Sequence, residues 1–251
     1  MITDPWFYAA AIPAVLLAGI SKGGFGHGAG MFATPLMALT IPVPQAVAIL
    51  LPIIIAMDLT GVWAYRHAFS RENLRLIFVG GFAGVALGTL SFRYFDESLV
   101  RILLGAISIG FVLQRYLRRA IVQPAPRSVP KGLFWSTCAG FTSTIAHAGG
   151  PPLSVYLLPQ RMDKAVMVGT TVIFFAVINI VKVAPYAWLG LFDAGTLYTA
   201  LVLLPLAPLG IWLGVFTMRR LSQDAFYRVC YALLLVVGAK ILWDGVAQLA
   251  A

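Results

Sequence analysis

The chain reads as an all-α polytopic membrane protein made of two inverted-topology repeats. Each repeat holds a glycine-rich broken helix pair and three full spans, about eight to ten helical segments in all. Three observations lead there. The first is composition: 60% of the 251 residues are apolar, only 11% are charged, and the mean hydropathy is +0.89. Soluble domains carry roughly 25% charged residues, so a water-facing surface cannot be built from this chain. The second is the length of the apolar stretches. Most run about 17 to 25 residues, which suits helices crossing a bilayer and not the short dyads of a barrel. The third is that one pattern of segments occurs twice.

Five apolar segments fill the first half: Trp6–Ile20, Gly28–Thr40, Pro44–Tyr65, Leu74–Phe92 and Ser98–Gln114. Five more fill the second: Gly132–Ala146, Pro151–Leu158, Ala165–Trp188, Gly195–Met218 and Ala225–Ala247. Trp6, Trp63, Tyr65, Trp135, Trp188 and Trp243 lie near segment ends, where interfacial rings belong. Gly28–Thr40 and Pro151–Leu158, at 13 and 8 residues, are too short to cross a core about 30 Å thick. Each follows a glycine-rich break. They read as half-helices joined by irregular backbone, which a membrane tolerates only where protein or a wet cavity surrounds it. The first segment lacks the basic flank and cleavage pattern of a removable signal peptide.

Basic residues set the orientation. Arg66, Arg71 and Arg75 share one loop, and Arg115, Arg118, Arg119, Arg127 and Lys131 mark the central linker. Arg161 with Lys164, and Arg219 with Arg220, mark two more loops. These loops are cytoplasmic by the positive-inside rule, so both termini are expected in the periplasm of a bacterial inner-membrane protein. The net charge of +9 is explained in the same way and gives no reason to expect nucleic acid. Cys138 and Cys230 lie in apolar helical surroundings and read as buried thiols.

The halves align as residues 1–119 and 131–251, with 120–130 as the linker. "AGISKGGFGHGAG" lies against "AGFTSTIAHAGGP", with His27 opposite His147. "PIIIAMDLTGVWAY" lies against "IFFAVINIVKVAPY", which sets Asp58 opposite Asn179 and Tyr65 opposite Tyr186. "GVALG" at Gly84–Gly88 matches "GIWLG" at Gly210–Gly214, and Arg101 matches Arg228. Each half has an odd number of crossings, so the repeat must be inverted. Inverted repeats with broken helices in matching places characterise secondary transporters, whose sites lie near the midplane.

"GISKGGFGHGAGMFATPLMAL" and "AGFTSTIAHAGGPPLSVYLLPQ" resemble the paired signatures of the sulfite exporter TauE/SafE family, also called the toluene-sulfonate uptake permease family. The resemblance spans nearly the whole chain. It implies transport of small anions, often sulfur oxyanions or organosulfonates, in either direction, through about eight spans.

Candidate site residues follow from the chemistry an anion needs. Lys22 offers a positive charge, while Gly23, Gly24 and Gly26 allow close backbone approach and an anion-binding nest. His27 and His147 can donate to an anion or shuttle a proton. Ser143 and Thr144 offer hydroxyls, and Gly149 and Gly150 open the second half-helix. Asp58, Asn179 and Lys182 form a candidate coupling set, with Asp58 and Lys182 expected to pair, since unpaired charge inside a membrane is costly. Gly84–Gly88 and Gly210–Gly214 read as helix packing. No nucleophile–base constellation, phosphate loop or metal-ligand cluster is legible, so no enzyme activity, cofactor or metal is expected. The partners expected are a small, sulfur-containing anion and lipid, and a homodimer is compatible with the sequence. The leading reading is a secondary transporter, with proton coupling as an option. The alternatives are an anion channel and a membrane assembly subunit that moves nothing.

Overall fold

The computed structural model describes residues 2–25, 29–94, 96–117, 125–218 and 223–250. Among them the chain is helical and contains no β-strand. In the first half α1 is Pro5–Ile20, α2 Ala29–Met37, α3 Val43–Tyr65, α4 Arg71–Tyr94 and α5 Glu97–Leu117. In the second α6 is Val129–Ala146, α7 Gly150–Leu157, α8 Lys164–Trp188, α9 Ala194–Leu203, α10 Leu206–Met218 and α11 Gln223–Ala250. Among the described residues five segments are long and apolar enough to cross a membrane: Pro5–Gly23, Val43–Tyr65, Arg71–Phe92, Ala165–Trp188 and Ala194–Phe216.

The two short segments fold as expected. The α2 helix has 9 residues and α7 has 8, so each reaches only about 12–14 Å. Two details differ from the sequence reading. The segment Gly195–Met218 is not one helix. It breaks at Leu204–Pro205, where proline removes a backbone donor, although Ala194–Phe216 as a whole is long enough to cross. The irregular backbone expected from Ser21 onward is not found at Ser21–Phe25, which continue α1 as a turn of π-helix.

The halves interlock. The α1 helix packs on α10, and α4 packs on α6. Glycines permit both approaches. A Cβ on Gly19 would lie 2.7 Å from Gly210 Cα, and one on Gly84 would lie 2.9 Å from Gly140 Cα. Gly88 sits against Thr144 in the same way. These are small-residue contacts that let backbones meet where no hydrophobic effect drives helices together. The α3 helix packs on α8 and α5 on α11, again across the halves.

Large apolar side chains such as Leu59, Trp63, Leu87, Leu201, Trp212 and Val236 face outward, where lipid takes the place of water. Polar side chains turn inward. Ser136, Thr142 and Thr144 of α6 each donate to the carbonyl four residues earlier, which satisfies the hydroxyl inside an apolar bundle. At one end of the bundle Asn73 of α4 is bonded by Tyr156 of α7 and bonds Gln160. This ties the far end of the short α7 to α4.

Candidate functional site

The buried ionisable groups meet where the ends of α1 and α6 approach α3 and α8. Asp58 lies on α3 and is 2% exposed. Lys22, in the π-helical turn, places Nζ 2.5 Å from Asp58 Oδ1 and 3.4 Å from the carbonyl of Ile54. Asn179 on α8 donates through Nδ2 to Asp58 Oδ2 at 2.7 Å. Both carboxylate oxygens are therefore engaged, one by a cation and one by an amide.

Lys182 follows Asn179 by three residues and so shares its helix face. It is fully buried. Its Nζ donates to the Ser143 carbonyl at 3.0 Å and to Ser143 Oγ at 3.0 Å, and lies 2.9 Å from His147 Nδ1. An ammonium has three protons, and these three acceptors use them all. His147 Nε2 lies 3.0 Å from the carbonyl of Val47 on α3. The set closes with one tautomer: Nδ1 accepts from Lys182, and Nε2–H donates to Val47.

The backbone explains why these atoms are available. His147 ends α6 in a left-handed conformation, φ 52°, and its N–H returns to the Ser143 carbonyl at 3.0 Å. Chain reversal at this residue aims the ring across the bundle to α3. Tyr186, one helical turn beyond Lys182, donates to the Thr144 carbonyl at 2.5 Å and fixes the end of α6 against α8. Neither Val47 nor Tyr186 was a candidate from sequence. The four-residue step from Lys182 to Tyr186 was the available signal.

Several assignments change. Asp58 and Lys182 do not pair: among the described residues Asp58 bonds Lys22 and Asn179, and Lys182 has no carboxylate within reach. Lys22 is not an unopposed charge, because Asp58 neutralises it. The hydroxyl of Thr144 donates to Gly140, so that proton is not available to a ligand. Gly23 faces the backbone of Ile211 on α10, and Gly149 faces the carbonyl of Ala139 and the ring of Phe175. Both are sites of close packing. Gly24 lies in the π-helical turn and Gly150 opens α7. Gly26 and His27 lie outside the described residues.

What is left unspent is informative. Among the described residues, Lys22 places two of its three protons, Asn179 uses one N–H of two, and the Ser143 hydroxyl accepts from Lys182 without an acceptor for its own proton. Three donors on three elements therefore remain at one locus. The described residues hold no group of three or more metal-ligating side chains.

The π-helical turn was readable in length. From Ala18 to His27 there are ten residues, and from Ala139 to His147 there are nine. A π-turn is how a helix absorbs one extra residue, and such turns occur often at functional sites.

The family model described as "Sulfite exporter TauE/SafE" matches residues 11–241. A probable sulfite/organosulfonate exporter TauE of Cupriavidus necator is 25% identical over 174 residues, covering 67% of each chain. No solved structure matches. With the match running through both breaks and the elements that carry Lys22 and Lys182, the chain belongs to the TauE/SafE family of membrane transporters.

Proposed function

We infer that the protein is a secondary transporter of small sulfur-containing anions across the bacterial cytoplasmic membrane, with the anion held between the ends of α1 and α6. The observation that carries this reading is the cluster of unspent donors beside the buried Lys182 and the partly buried Lys22. An anion leaves water only if several donors replace its hydration at once. The third proton of Lys22, the second N–H of Asn179 and the Ser143 hydroxyl supply that number. A sulfonate or hydrogen sulfite head presents oxygens in several directions and suits donors arriving from three elements. The similarity to a probable sulfite/organosulfonate exporter of Cupriavidus necator supports the sulfur chemistry.

The two-repeat organisation is part of this proposal. Asp58 is fifteen residues past Val43 and Asn179 fifteen past Lys164, and these aligned residues bond each other. Residues on a two-fold axis meet their own mates. Off the axis, contacts come in reciprocal pairs, and Gly19–Gly210 with Gly140–Gly84 is such a pair in the alignment. An in-plane axis through Asp58 and Asn179 would set the site near the midplane and both termini in the periplasm. A proton-coupled cycle has a candidate carrier in Asp58, since protonating Oδ1 would release Lys22 toward the anion.

The test is exchange in proteoliposomes. External sulfite, methanesulfonate or taurine should saturate and should accelerate efflux of labelled internal substrate. Flux that rises linearly without trans-stimulation would replace the carrier with a channel. The absence of both flux and anion binding would overturn the transport reading.

A further inference from the structure

The charges of the site add up to a number, and the number selects a ligand. Among the described residues three formal charges lie at the site: Lys22 and Lys182 are positive and Asp58 is negative. Lys22 and Asp58 cancel as an ion pair. Lys182 remains. It is fully buried, and its acceptors, Ser143 and His147, are neutral in the tautomer that the contacts require. Hydrogen bonds to neutral acceptors lower the cost of holding that charge in the bundle but do not cancel it. With Lys182 protonated, the described residues of the site carry one uncompensated positive charge.

We propose that this single charge makes the site selective for monoanions, hydrogen sulfite and monosulfonates, over dianions such as sulfate and disulfonates. The proposal rests on the transport reading above and narrows its substrate class. One negative charge brings the buried site to neutrality. A second would stand unopposed in a low-dielectric interior, where uncompensated charge is disfavoured strongly. Asp58 is then the selectivity element. Its carboxylate cancels the second lysine, and without it the site would carry two positive charges and favour two negative ones. The fully engaged carboxylate has this electrostatic role even though it does not touch the anion.

The test uses ligands of fixed charge, so that pH does not alter them. Purified protein at one mildly acidic pH, where Lys182 is protonated, and at moderate salt is titrated with methanesulfonate and with methanedisulfonate, following thermal stabilisation. The monoanion is expected to bind at least about tenfold more tightly. In Asp58→Asn the ratio should invert or collapse. In the double variant Lys22→Gln/Asp58→Asn, which restores one net positive charge, the monoanion preference should return. Lys182→Gln should lose the monoanion. Should Asp58→Asn fail to fold, the wild-type ratio and the double variant still decide. Equal affinity of the wild type for both ligands would overturn charge selection and leave the transport reading standing. A ratio unchanged in Asp58→Asn would remove Asp58 from selectivity. No stabilisation by either ligand would overturn both readings.

Discussion

The ion pair between Lys22 and Asp58 gives the most quantitative prediction. Its 2.5 Å separation and an effective dielectric near 20 give a gross attraction of about 7 kcal/mol. Desolvation takes much of this back, and breaking a buried pair from one side costs about 3–5 kcal/mol in measured systems. The Lys22 side chain keeps 13% exposure against 4% for Asp58, which places the expected cost at the low end, about 3 kcal/mol. Lys22→Met leaves the carboxylate with Asn179 alone. Asp58→Asn keeps an amide partner for Asn179 but orphans the lysine. Each single variant should lose about 3 kcal/mol, while the double variant should lose much less than the sum, a coupling of about 2–3 kcal/mol. Reversible unfolding in mixed micelles across the four proteins measures it. A coupling below about 0.5 kcal/mol would mean that the pair contributes nothing as a pair, and the charge accounting at the site would fail with it.

Three further outcomes are expected. Ser143→Ala should weaken anion binding about five- to tenfold by removing a donor, whereas Thr144→Ala, whose hydroxyl is spent on Gly140, should leave affinity unchanged; isothermal titration separates them. Gly19→Val and Gly84→Val should each cost about 3 kcal/mol, because the new Cβ meets backbone that cannot retreat, and similar losses in the two would support the reciprocal packing. Outside the membrane, Asp193 caps α9 by accepting from the Thr196 N–H, which holds its carboxyl below its usual range. A depressed carboxyl stabilises above its unfolded pKa and loses that contribution as pH falls through its folded value. The protection of the Thr196 amide, its exchange rate relative to the intrinsic rate at the same pH, should therefore fall on acidification, and Asp193→Ala should abolish that change in protection.

The helices were legible because apolar length is nearly all a membrane demands of a span, and the two short segments were legible for the same reason. The break between α9 and α10 was not. Pro13 and Pro52 sit inside α1 and α3 without ending them, so proline in an apolar run does not say which helix will part. The candidate cluster was legible as a set of residues but not as a set of bonds. Lys22, Asp58, Ser143, His147, Asn179 and Lys182 do converge. Yet Asp58 was matched to Lys182 because both lie in mate helices, whereas the mate position belongs to Asn179 and Lys182 lies nearly one turn beyond. The partner that claims Asp58 comes from α1, and its approach depends on how α1 ends, which a hydropathy pattern does not encode. Only the extra residue between Ala18 and His27 hinted that α1 would continue through Lys22.

The divergence of the halves at this locus has a physical reason. A residue on a two-fold axis faces its own copy. Two aspartates at hydrogen-bond distance would repel, and one would have to take a proton. Asp58 opposite Asn179 avoids this: the amide donates where a second carboxylate could not. The lysines follow the same logic off the axis. Lys22 aligns with Ser143, and Lys182 aligns with Gly61, where a Cβ would already lie 2.9 Å from Val172. Each half thus gives one lysine, at positions that are not equivalent. One lysine is cancelled by Asp58, and the other is held by the end of α6. In the proposed cycle, moving either half would change the surroundings of a different charge, so two access states related by the axis would not be equal in energy. Perfect symmetry would make inward- and outward-facing forms degenerate. If the proposed carrier alternates about this axis, the asymmetry that lets the axis hold a carboxylate would also fix which form it prefers without substrate, and anion binding at the remaining charge would shift that preference.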